Sequence, residues 1–228
     1  CKDMNSEADL IALCLRETLE TPGKTAALVP PDRALAEAII VALRRWNIHV
    51  DDSAGTPLSQ CGAGVFLQLL ANAVAADFAP VPLLSLLKHP LAAGGMDLAD
   101  FRSLLRSVEL VALRGHRPAP GLAGLIERLE ERPDLAAFVR DHVRVPLQDL
   151  TDIWKNGVPS LARLASALAT AGERLAAREM LADGTCDADD GALHLWRGFD
   201  GEAAAEVMCD LAEQTTDINI NPRELPQI

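Results

Sequence analysis

Along residues 5–20, NSEADLIALCLRETLE, apolar side chains fall at Ala8, Ile11, Leu15 and Leu19. Spacings of three and four place them on one face of an amphipathic helix. Asn5 or Ser6 is the expected cap, with Glu7 and Asp9 in the first turn, where the helix dipole favours acid. Pro22-Gly23 ends the pattern. The short apolar run TAALV, residues 25–29, then reads as a buried strand stopped by Pro30-Pro31. Asp32 is placed to cap a second helix, RALAEAIIVALRRW, with Leu35, Ile39, Leu43 and Trp46 on one side. Asn47 closes it, and IHVDD, residues 48–52, reads as a second strand. Helix–strand–helix–strand is the alternation of a small parallel α/β unit, expected over residues 1–79.

After Gly55 the pattern changes. Residues 62–78, GAGVFLQLLANAVAADF, form a further helix, and strand signals all but vanish beyond Pro80. VPLLSLLKHP, DLADFRSLLRSVEL, GLAGLIERLEER, DLAAFVRDHV, SLARLASALATAGERLAARE and GEAAAEVMCDLAEQ all carry helical periodicity between Pro or Gly breaks. Residues 80–228 are therefore expected to form a helical domain, without a repeat of fixed period. Residues 183–201 read as its one long polar loop, and the tail 219–228, NINPRELPQI, as extended chain.

Composition supports a mainly helical protein. Aromatic residues make up 4% of the 228, Tyr is absent, and Ala and Leu, the strong helix formers, are abundant. The net charge of −12 argues against a broad grip on nucleic acid, though a local basic groove remains compatible with it. Cys1, Cys14, Cys61, Cys186 and Cys209 include no C-x-x-C pair and are expected to be free thiols in a reducing cytoplasm. No apolar run has the length of a membrane span. The opening CKDMNSEAD, without an initiator Met, reads as an internal cut in a longer chain.

Candidate chemistry is sparse. Gly23-Lys24-Thr25 ends like a phosphate-binding loop, but such a loop leaves a strand and enters a helix, whereas this triplet leaves a helix. The first Gly of the signature would fall at Thr18, inside a helical pattern. A Pro-Gly turn with a solvated Lys24 is the expectation. Asp51-Asp52-Ser53 alternate faces if they continue a strand, so turn and cap roles are expected rather than Mg²⁺ binding. Asp187, Asp189 and Asp190 lack the bidentate Glu of a calcium loop. His49, His89, His116, His142 and His194 share no motif with a nucleophile, and G-x-S-x-G is absent. Arg44-Arg45 suit a helix C-terminus, and Trp46 suits the core. The remaining candidates are Arg114, His116 and Arg117 in ELVALRGHRPAP, placed to touch DNA or an acidic partner. No catalytic, cofactor-binding or metal-ligating residue is assigned.

Three blocks resemble a family. ETPGKTAALVPPDRALAEAIIVALRRWNIHVDDSAGTPL, FAPVPLLSLLKHPLAAGG and LWRGFDGEAAAEVM are similar to the AddB subunit of the AddAB helicase–nuclease in its alphaproteobacterial form. More loosely, the first block resembles the start of the second RecA-like domain of a UvrD-type helicase. The resemblance implies that residues 1–79 are part of a RecA-like domain and that 80–228 form a helical insertion. It further implies an ATP-dependent helicase/exonuclease acting in double-strand break repair and recombination, with an AddA-type subunit and DNA as partners. The family's nucleotide loop and iron–sulfur cysteines match nothing here, so the expectation is a non-catalytic structural segment without a cofactor. The alternative is a stand-alone helical protein-interaction module with an α/β cap.

Overall fold

The structure is a computed structural model that describes residues 1–30, 32–53, 55, 57–155 and 159–213. It is mainly helical and divides into two units, residues 1–55 and 56–228. The boundary expected at 79–80 falls inside the second unit. The tail 219–228 lies outside the described residues.

The first unit is a pair of helices, α1 (Met4–Leu19) and α2 (Arg33–Arg44). Asp3, rather than Asn5 or Ser6, caps α1 by accepting from the Ser6 N–H at 2.7 Å, and Asp32 caps α2 through the Leu35 N–H at 2.8 Å. The helices meet through Ala8 and Ala12 on α1 and Leu35, Ile39, Ala42 and Leu43 on α2. Alanines on one side let the larger side chains of the other approach its backbone. Leu19, expected on the buried face, is exposed.

The expected parallel α/β part is corrected here. Residues 25–29 and 48–52 belong to no sheet, and an isolated bridge elsewhere, between Met180 and Cys186, is antiparallel. A strand is held by a neighbour that takes its N–H and C=O groups. Among the described residues neither segment pairs along its length with a neighbouring strand, and Val29 is 93% exposed. The apolar run that reads as a buried strand is a connection between helices.

The second unit holds α3 (Gly62–Ala75), α4 (Pro80–Leu87), α5 (Leu98–Val108), α6 (Gly121–Arg128), α7 (Pro133–Val139), α8 (Val145–Lys155), α9 (Leu161–Ala176), α10 (Ala188–Leu195) and α11 (Gly198–Ala212). Single π turns, Glu109–Leu113 and Arg140–Arg144, follow α5 and α7. One hydrophobic core runs through all of it, centred on Phe66, Leu70, Phe101, Leu147, Leu164 and Leu175. The expected polar loop at 183–201 is corrected as well. Asp187 caps α10 by accepting from the Asp189 and Asp190 N–H groups, and Leu195 on that helix is buried.

The block HPLAAGG has a structural task. Ala93 and Gly94 donate their N–H groups to the Leu175 carbonyl at 2.9 Å, and Gly95 donates to Ala177 at 2.7 Å. These bonds satisfy carbonyls that the end of α9 leaves open. The Gly94 carbonyl in turn accepts from His142 Nδ1 at 2.7 Å. Gly94 has φ of +56°, and a Cβ there would lie 2.2 Å from the His142 carbonyl oxygen. Gly94→Ala is therefore expected to destabilise by at least about 1–3 kcal/mol. Gly62→Ala, at the start of α3 with nothing within 4 Å of the added carbon, should be neutral or stabilise by up to about 1 kcal/mol. Denaturant melts of both variants check this; a Gly94→Ala protein as stable as the parent would contradict the packing.

Candidate basic groove

Helix α5 divides its faces by period. Phe101, Leu105 and Val108 are buried, while Arg102 and Arg106, one turn apart, stay exposed on the other side. Asp97 starts the helix by accepting from the Ala99 N–H at 2.8 Å. At the other end the π turn returns the chain with a bond from the Arg114 N–H to the Glu109 carbonyl at 3.0 Å. This wider turn brings the Arg114 side chain back onto the Glu109 carboxylate. Lys88 arrives from the C-terminus of α4, where a cation also complements the helix dipole.

Together Lys88, Arg102, Arg106 and Arg114 line a cleft of about 470 Å³, with Leu105 and Leu110 as its apolar part and Glu109 as its only acid. Glu109 Oε2 accepts from Lys88 Nζ at 2.7 Å, and Oε1 accepts from Arg114 Nη2 at 2.9 Å. Arg102 and Arg106 have no hydrogen-bond or ion-pair acceptor among the described residues. Four cations against one carboxylate, in a chain of net charge −12, make this cleft a local reversal of sign. Two other clefts carry more balanced charge. Glu127 and Glu130 face Arg140 and Arg144 in one, and Asp149 binds Arg174 at 2.6 Å in the other.

Of the residues singled out in the sequence, only Arg114 lines the groove; His116 and Arg117 are exposed in the loop beyond it. Lys88, Arg102, Arg106 and Glu109 were not among them. The spacing of Arg102 and Arg106 on the polar face of α5 was the available signal, whereas Lys88 arrives only through tertiary packing. Gly23-Lys24-Thr25 forms an exposed turn after α1, with the Lys24 N–H on the Thr21 carbonyl at 3.2 Å and Gly23 at φ of +79°.

Several other candidates have local partners. Arg33 binds the Asp52 carboxylate and donates to the Gly55 carbonyl at 2.9 Å. Asp190 accepts from the Arg178 N–H at 2.6 Å and lies 3.6 Å from His194 Nε2. His89 Nδ1 accepts from the Leu91 N–H at 3.3 Å, and burial lowers its pKa. Trp46 packs partly buried against the first unit's core, beneath the guanidinium groups of Arg16 and Arg45. All five cysteines are free thiols, and burial pushes Cys186 up to about 11. No group of His, Cys, Asp or Glu suited to a metal ion occurs among the described residues. None of the described helices is long and apolar enough to cross a membrane.

No protein-family model, curated protein or solved structure matches the chain.

The Lys88 ammonium and the Arg114 guanidinium, donating hydrogen bonds, hold the Glu109 carboxyl below its ordinary value of 4.5. A depressed carboxyl contributes stability above the ordinary range, and that stability is lost as pH falls through the lowered value. Lys88→Met is expected to return the Glu109 titration towards 4.5, read by carboxyl ¹³C shifts. A midpoint that does not move would show that Lys88 does not hold the carboxylate in solution.

Proposed function

We propose that this chain is a non-catalytic structural segment of an AddB-like subunit of an ATP-dependent helicase/exonuclease acting in double-strand break repair. The observation that carries the reading is the groove of Lys88, Arg102, Arg106 and Arg114, a cationic cleft in an acidic chain, fitted to the phosphates of DNA held by the parent complex. The three similar sequence blocks supply the family and, with it, an AddA-type partner subunit and a cytoplasmic setting. On this reading residues 1–79 belong to a RecA-like domain of the parent subunit.

A second reading, the stand-alone protein-interaction module, draws on Leu10, Leu13 and Val41, which are 55%, 50% and 63% exposed on the first unit. Exposed apolar side chains on a helix pair fit a protein partner better than DNA.

The test is fluorescence anisotropy of labelled single-stranded and duplex DNA with the whole chain at low salt, beside co-purification with an AddA-type subunit. DNA binding is expected, with a log–log salt slope no steeper than about −3 for a single strand, since four cations are available. Arg102→Glu with Arg106→Glu should weaken it by at least about tenfold. DNA affinity that ignores these two charges would sink the groove reading, partner binding without any DNA affinity would leave the scaffold reading standing without its groove, and neither would weaken both readings.

A further inference from the structure

The groove already holds one anion, the Glu109 carboxylate. Its two oxygens take Lys88 Nζ at 2.7 Å and Arg114 Nη2 at 2.9 Å, the two-oxygen acceptance that a phosphodiester also offers. The carboxylate is the enclosed member of the trio: its side chain is 13% exposed, against 53% for Lys88 and 66% for Arg114. Both cations therefore reach solvent, where a ligand arrives, while Glu109 stays behind them. Arg102 and Arg106 stand beside this trio without acceptors of their own among the described residues. Among the described residues no aromatic side chain lines the cleft, so they offer no platform on which a base would stack.

We propose that a nucleic-acid phosphodiester binds this groove by taking Lys88 and Arg114 away from Glu109, with contacts to the backbone and none to the bases. This rests on the reading of the groove as the side that meets DNA. Arg102 and Arg106 supply the initial attraction, because among the described residues they have no acid to leave. Lys88 and Arg114 then exchange one anion for another, and the Glu109 carboxylate is left partly enclosed without its cations, which costs affinity. Glu109 thus sets how tightly the groove holds a strand. Removing its charge relieves that cost and leaves four cations for the ligand.

The experiment compares the whole chain with Glu109→Gln, Glu109→Ala and the Arg102→Glu, Arg106→Glu double variant. Fluorescein-labelled oligothymidylate and oligodeoxyadenylate of equal length serve as probes, and thermal melts confirm that each protein is folded. Both Glu109 variants should bind tighter by about two- to fivefold, the coupling expected of partly exposed ion pairs. The double variant should lose binding, and the two oligonucleotides should bind alike. If the Glu109 variants bind no tighter while the double variant still weakens binding, the exchange is wrong and the groove reading survives. If the double variant binds as the parent does, the groove reading itself fails. A marked preference between the two oligonucleotides would overturn backbone-only contact. Displacement by inorganic phosphate, at constant ionic strength, as effective as that by unlabelled oligonucleotide would assign the groove to the free ion instead.

Discussion

A core made mainly of leucine and alanine, with five Phe and no Tyr in the whole chain, requires its helices to approach closely. Small side chains leave voids unless backbones move together, because interiors pack to the density of organic crystals. The second unit meets this requirement at α9, which packs against α3, α8, α10 and α11. Its Ala165, Ala171, Gly172 and Ala176 are buried. Gly172 leaves space that Leu67 and Leu195 fill, and Gly191 on α10 lies so close that a Cβ would be 1.8 Å from the Glu173 carbonyl oxygen. With α9 fixed in this way, its C-terminal carbonyls hold residues 93–95, and Gly94 holds His142. Loop 91–96 also joins α4 to α5, so the elements that carry Lys88, Arg102 and Arg106 rest on the same close packing.

The sequence shows helix faces well, because burial repeats on a period that local chemistry does not disguise. Leu35, Ile39 and Leu43 are buried as their spacing indicates. It shows strands poorly here, since TAALV has the composition of a buried strand but composition says nothing about a pairing neighbour. Helix α8 was missed for a different reason. Pro146 looks like a breaker, yet the π turn at Arg140–Arg144 already interrupts the normal hydrogen-bond ladder before it. The missing N–H of proline costs little at such a position. Helix α10 hides in DADDGALHLW because its start is acidic; the acids are the cap and the first turn, where the dipole welcomes them.

The site was legible only in part, and Arg114 illustrates why. The sequence marks it as a basic residue in a loop beside His116 and Arg117. Its neighbours in space are instead set by the π turn, which returns it to Glu109 five residues earlier, and by α4, which delivers Lys88 from outside the segment. A cluster read along the chain differs from one assembled across it whenever an irregular turn intervenes. Arg102 and Arg106 needed only the helical period to be paired, but nothing local shows that two further cations join them.

Net charge and local charge then act over different distances. At physiological ionic strength the Debye length is about 8 Å, so most of the excess acid in the chain is screened from a ligand inside the groove. The four cations lining the cleft act within that range. At low ionic strength, where the screening length grows, the sum of −12 opposes the approach of any polyanion and slows encounter. On the proposed function, the groove would bind a strand weakly unless something else held the strand nearby. On that proposal the rest of the complex would hold the DNA, and a high effective concentration would replace the long-range attraction this chain lacks.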